Sequence, residues 1–127
     1  MTTDLLIRDI ITGPAVLVHL HDSLRSVAQF FDEQMIGAAA VRNTDPLAII
    51  SERDIVRLVA GGSSTTTAQV SDVMTEDSWT TTPEAKVHEV AAEMLRDGIR
   101  HAPVLDDDGH VVGMISMRDV LAAYAGS

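Results

Sequence analysis

The chain has 127 residues, of which 46% are hydrophobic but only 3% aromatic, with no cysteine. That is enough for one compact domain with an aliphatic core, and it excludes disulfides, thiolate metal sites and cysteine nucleophiles. The net charge is −10, which argues against a nucleic-acid surface, while the lack of any apolar run near the ~20 residues of a membrane span, or of a leader-like N-terminus, points to a soluble cytoplasmic protein.

In chain order, a small helical turn is expected at Leu5–Ile11, then a short extended stretch at Ala15–Val18. Asp22 reads as the N-cap of a helix whose apolar stripe is Leu24, Val27, Ala28, Phe31 and Met35, with Gly37 near its end. Strands follow at Ala38–Arg42 and Leu47–Ile50 around an Asn43-Thr44-Asp45-Pro46 turn, and Ser51 then caps a helix over Glu52–Ala60. The Gly- and Thr-rich stretch Gly61–Thr67 reads as a flexible linker.

The same order then repeats. A turn at Gln69–Met74 and an extended stretch at Ser78–Thr81 precede Thr82-Pro83, a hydroxyl cap with proline at the first helical position. Val87, Val90, Ala91 and Met94 form the stripe, and Gly98 closes the helix. Strands at Ala102–Leu105 and Val111–Ile115 flank Asp106-Asp107-Asp108-Gly109, and Ser116 caps Met117–Ala125. Ile36 and Val41 recur as Ile99 and Val104, 63 positions later, and Ile50–Ile55 is echoed by Ile115–Val120 at an offset of 65, the growth falling in the hairpin. The duplication predicts an α/β (α+β) fold of two half-domains, 1–60 and 69–127, joined by a linker at 61–68. Each is expected to be a three-stranded sheet flanked by helices. A pseudo-two-fold axis would relate the two and leave a cleft between the copies.

On these motifs the sequence resembles a tandem pair of cystathionine-β-synthase (CBS) domains, a Bateman module. The carriers are Val70-Ser71-Asp72-Val73-Met74-Thr75, Ile99-Arg100-His101-Ala102-Pro103-Val104-Leu105-Asp106 and Gly113-Met114-Ile115-Ser116-Met117-Arg118-Asp119. The first copy keeps Ile7-Arg8-Asp9-Ile10-Ile11-Thr12 and Ser51-Glu52-Arg53-Asp54, but has Ala48 for Gly113 and Gly37-Ala38-Ala39-Ala40 for Arg100-His101-Ala102-Pro103. The resemblance implies a regulatory module binding an adenosine-containing ligand (AMP, ADP, ATP or S-adenosylmethionine) in the inter-repeat cleft, with no required cofactor. It implies that the aspartate of Ser-x-x-Asp holds the ribose hydroxyls and that the serine and helix start meet phosphate. Carried onto this chain, the ligand residues are Ser116, Arg118, Asp119, Arg100, His101 and Pro103 in the second copy, and Ser51, Arg53 and Asp54 in the first. Because the first copy lacks the basic pair, the site around Asp119 is expected to bind more tightly.

The residue types suit that chemistry. A carboxylate accepts two hydrogen bonds from a vicinal diol, and a guanidinium pairs with phosphate through a planar fork. The plainer alternative is that Ser-x-x-Asp is a capping box. Trp79 and the methionines Met35, Met74, Met94, Met114 and Met117 read mainly as packing residues, and Asp106–Gly109 as a turn rather than a calcium loop. His19-x-His21 reads as solvent-facing rather than metal-binding. Ser116, His101 and Asp119 lack a Gly-x-Ser-x-Gly turn, and no phosphate-binding Gly-x-x-x-x-Gly-Lys is present, so an enzyme is not expected. A homodimer is expected through Val120, Leu121 and Tyr124, with output through an effector protein. The competing reading is a ligand-free interaction module.

Overall fold

The computed structural model describes residues 5–11 and 14–125. The elements are α1 (Ile7–Ile10), β1 (Leu17–Val18), α2 (Leu24–Gln34), β2 (Ala38–Val41), β3 (Ala48–Ser51), α3 (Glu52–Ala60), α4 (Val70–Val73), α5 (Val87–Asp97), β4 (His101–Leu105), β5 (Val111–Ser116) and α6 (Met117–Ala125). They form two small sheets flanked by helices, the mixed α/β arrangement expected. Among the described residues no helix is long and apolar enough to cross a membrane.

Two compact units divide the chain, and they exchange the repeats' leading turns. One is Val16–Ser78 and holds β1, α2, β2, β3, α3 and α4; the other joins α1 to α5, β4, β5 and α6. Ile7 of α1 is fully buried among Val87, Val90, Met94, Ala102, Val104, Ile115 and Val120. Val70 of α4 is fully buried among Leu24, Val27, Phe31, Ala39, Val41, Ile50 and Ile55. The backbone repeats this exchange bond for bond. Ile7 N–H donates to Ala85 O and Val87 N–H to Leu5 O, both at 2.9 Å; Val70 N–H donates to Asp22 O and Leu24 N–H to Ala68 O, both at 3.0 Å.

That pairing moves the helix starts. Ser23, not Asp22, caps α2, its side chain accepting the Ser26 N–H at 3.1 Å. Thr82-Pro83 begins a turn rather than a helix: the carbonyls of Pro83 and Ala85 are taken by the N–H groups of Arg8 and Ile7, both at 2.9 Å, so α5 starts at Val87. At the other end Met35 takes the left-handed position, φ 56°, that Gly98 takes in α5 at φ 69°, and it is 89% exposed rather than in the core. Gly61–Thr67 is tied in place, with the Arg25 N–H donating to Thr65 O at 3.0 Å.

In the first unit β2 is central, parallel to β1 and antiparallel to β3. In the second, only β4 and β5 form a ladder, and the expected third strand contracts to a single Thr81–Val104 bridge. The cause is Pro103. In the first unit the N–H groups of Ala40 and Arg42 donate to Val16 O and Val18 O; their counterparts are Pro103 and Leu105, and only Leu105 has an N–H to give, reaching Thr81 O at 2.9 Å. The two extra residues of the second hairpin lengthen it by a Leu105–Val111 pair, with a register shift next to Val104.

Candidate functional site

Each Ser-x-x-Asp lies where the last strand of a sheet runs into its final helix. In the first unit Ser51 ends β3 and caps α3. Asp54 Oδ2 accepts the Ser51 N–H at 2.9 Å and the Ser51 hydroxyl at 3.0 Å, while Asp54 N–H donates to Ser51 Oγ at 3.4 Å. This is a full capping box. The other carboxylate oxygen, Oδ1, accepts the Thr75 hydroxyl at 3.3 Å. Thr75 is fixed beside β3 by a two-way backbone bridge to Ile49, at 2.8 and 3.0 Å. Asp54 is left only 7% exposed.

In the second unit Asp119 Oδ2 accepts the Ser116 N–H at 2.8 Å and Asp119 N–H donates to Ser116 Oγ at 3.0 Å. Asp119 is half-buried rather than buried. The repeat counterpart of Thr75 is Thr12, which lies outside the described residues.

The expected basic residues gather at this second turn. His101 pairs directly with Ser116 across β4 and β5, so the two side chains share a face. Arg100 O accepts the Met117 N–H at 2.8 Å, which holds Arg100 against the start of α6. Arg100 and Arg118 are exposed, and among the described residues neither makes an ion pair. Pro103 lies two residues along the same strand, but it is fully buried and its carbonyl accepts the Thr81 N–H at 3.0 Å. It shapes the sheet rather than offering a surface. At the first turn the equivalents are Gly37, whose carbonyl accepts the Glu52 N–H at 2.9 Å, and Ala38, paired with Ser51. Arg53 is exposed beside them.

Sequence reasoning did not single out Thr75. The available signal was its place in Val70–Thr75, a motif paralleled by Ile7–Thr12, but nothing local says that this hydroxyl meets a carboxylate 21 residues earlier.

The other candidates resolve simply. His21 Nδ1 lies 3.1 Å from Gln69 Oε1 and His19 is exposed. Asp106 Oδ1 accepts the N–H groups of Asp108 and His110 at 3.0 and 2.9 Å, which is the hairpin turn expected. Met94 is fully buried, and Trp79 and Met117 pack against the same core. A small cavity of about 180 Å³ between β1 and α2 is lined by Leu17, Val18, Asp22, Ser26, Val27 and Phe30, and includes no residue of either Ser-x-x-Asp turn.

The chain is similar to known proteins in sequence and fold. An uncharacterized protein of Methanopyrus kandleri, MK0525, is 31% identical over 117 residues, covering 90% of this chain; the chain spans 57% of that protein's length. The CBS domain pair of protein MJ0100, solved with 5′-methylthioadenosine and S-adenosylmethionine, is 25% identical with a TM-score of 0.85, covering 96% of this chain and 97% of its own. PAE2072 of Pyrobaculum aerophilum, a CBS domain protein solved with AMP, is 26% identical with a TM-score of 0.81, covering 97% of this chain and 100% of its own. The CBS domain family matches residues 7–61 and again 70–126, and the chain therefore belongs to that family as a tandem CBS domain pair.

Proposed function

We propose that this chain is a regulatory module whose ligand is an adenosine-containing molecule of the class of AMP, ADP, ATP or S-adenosylmethionine, bound rather than chemically changed. The observation that carries this reading is the Ser116–Asp119 turn. One carboxylate oxygen is held by the backbone at 2.8 Å, the residue remains half-exposed, and His101 stands across from Ser116. A carboxylate fixed in this way is oriented to accept from a ribose diol without losing side-chain freedom on binding. The complexes of MJ0100 and PAE2072 with adenosine compounds support the ligand class.

In this reading Ser116, Asp119, Arg100, His101 and Arg118 form the principal site. Ser51, Arg53 and Asp54 form a weaker one, because Asp54 is only 7% exposed and Gly37 and Ala38 stand where the second repeat has Arg100 and His101. Thermal-shift screening of the intact chain with AMP, ADP, ATP, S-adenosylmethionine and NADH tests the class, since a ligand that binds only the folded state raises Tm by mass action. Calorimetry on Asp119→Asn and Asp54→Asn tests the site. Loss of binding in the first and retention in the second is expected; the reverse result overturns the assignment.

A second reading, an interaction module acting on a protein partner, is favoured by exposed apolar side chains at equivalent places on the two final helices. Val56 of α3 is 63% exposed and Leu121 of α6 is 62% exposed. Val120, expected at the partner surface, is instead core. We propose a homodimer through these helix faces in a cytoplasmic setting, with an effector protein as the output. Light scattering that gives a monomer mass at tens of micromolar would remove the homodimer.

A further inference from the structure

We infer that Met35 is a modification site: its thioether is oxidised to the sulfoxide by a hydroperoxide in the folded chain, ahead of the other described methionines and without loss of the fold. The chain has six methionines and no cysteine, so thioethers are the sulfur it offers to an oxidant. The structure describes all of them but Met1. Met94 is fully buried, Met74 and Met117 pack against the two cores, and Met114 is half-buried in β5. Met35 alone among these is exposed, at 89%.

The second repeat is the internal control, because α2 and α5 end in the same way. The Met35 N–H donates to Phe31 O and the Gly98 N–H to Met94 O. The next N–H groups, those of Ile36 and Ile99, donate to the same two carbonyls at 3.1 and 2.9 Å. Ile36 and Ile99 then pack each against its own core. The residue between helix and core is thereby held left-handed, at φ 56° in Met35 and 69° in Gly98. That conformation favours glycine. The fold therefore needs a backbone conformation at this place and makes no use of a side chain. The first repeat nevertheless has a methionine there, in a disfavoured conformation and with its side chain in solvent. A strained residue that gains no packing points to a use outside the core.

The chemistry is that of a nucleophilic thioether. A sulfur lone pair attacks one oxygen of hydrogen peroxide, and the S–O bond forms as the O–O bond breaks. The departing oxygen takes the proton of the attacked one and leaves as water, so an electron pair passes from sulfur to the peroxide. The product is a polar, chiral sulfoxide, which disrupts a core but meets only water at an exposed position. There it is also open to a methionine sulfoxide reductase, which returns the thioether with thiols as the reductant.

The test is a time course of the intact chain in hydrogen peroxide at neutral pH, read by peptide mass spectrometry. Met35 sulfoxide is expected to form at least about 10-fold faster than Met94 sulfoxide, and ahead of Met74, Met114 and Met117. In urea, where every thioether is exposed, the rates should agree to within about twofold. Chain oxidised at Met35 alone is expected to keep its melting curve, and a reductase with a thiol should restore its mass without unfolding. Met35→Leu should remove the fast phase and leave the slower ones unchanged; because the side chain is in solvent, this variant should fold, and its melting curve checks that. Oxidation of Met74, Met94, Met114 or Met117 ahead of Met35, an order of rates that persists in urea, or a melting transition lost on oxidation at Met35 overturns the inference.

Discussion

The two Ser-x-x-Asp turns share a backbone and differ in how deeply the carboxylate is buried and in which residues stand near it. At Ser51 both oxygens of Asp54 are engaged, Oδ2 by the serine and Oδ1 by Thr75, and the side chain is 7% exposed. At Ser116 one oxygen serves the cap, the side chain stays half-exposed, and arginines and a histidine stand nearby. The same local motif thus buries its carboxylate in one unit and leaves it half-buried near basic residues in the other. A capping box and the proposed ligand carboxylate are not rival descriptions of Asp119, because the capping bond from the Ser116 N–H is made to Oδ2.

The largest effect should come from the leading turns. Ile7→Ala and Val70→Ala each remove a fully buried side chain from a core built by the other repeat. Each should cost about 2–4 kcal/mol in urea unfolding. Near-equal losses would show that the exchanged turns are equivalent anchors, and a negligible loss for either would break that equivalence.

Next come the carboxylates. Asp54→Ala should cost about 1–3 kcal/mol, because it removes a buried carboxylate that accepts from the Ser51 N–H, the Ser51 hydroxyl and the Thr75 hydroxyl, and Asp119→Ala about 1 kcal/mol, the usual loss of a cap. Equal losses would mean that the two turns do not differ in their structural role.

Gly113→Ala should cost about 1–2 kcal/mol, since a Cβ there would lie 2.8 Å from Ile11 Cγ2. The first repeat has Ala48 at this position and Met74 where Ile11 stands. Ile11→Met should therefore recover much of the loss, which a double-mutant cycle would read as a favourable coupling.

Met35→Gly should stabilise the protein by about 0.5–1 kcal/mol, because a residue that is 89% exposed holds a left-handed backbone and loses no packing on truncation.

The smallest effect concerns the end of α5, where the hydrogen bond from Arg96 holds the Asp97 carboxyl below its usual pKa. Arg96→Ala should raise that pKa in an NMR titration. A depressed carboxylate contributes stability above its ordinary pKa and loses it as pH falls through the folded value. Both groups are exposed, so the change in unfolding should be near the limit of detection.

The sequence by itself determined the duplication, the α/β class, the helix stripes and the two capped turns. These are local signals: an apolar period, a serine three residues before an aspartate, a hairpin turn. The stripe residues Leu24, Val27 and Phe31 and their counterparts Val87, Val90 and Met94 are all buried as the period implies. Arg100 and His101 also fall beside Ser116 because strand pairing follows from the hairpin.

Only the tertiary structure decided which core each leading turn joins. A four-residue helix has no stability of its own, and its sequence carries one buried anchor that either core would accept. That choice then moved the start of α5, since the carbonyls of Pro83 and Ala85 went to α1. It also brought Thr75 to Asp54, a hydrogen bond between residues 21 apart that no periodicity encodes. Periodicity reports which face of an element is buried; it does not report against what, and the difference between the two turns lies in that second question.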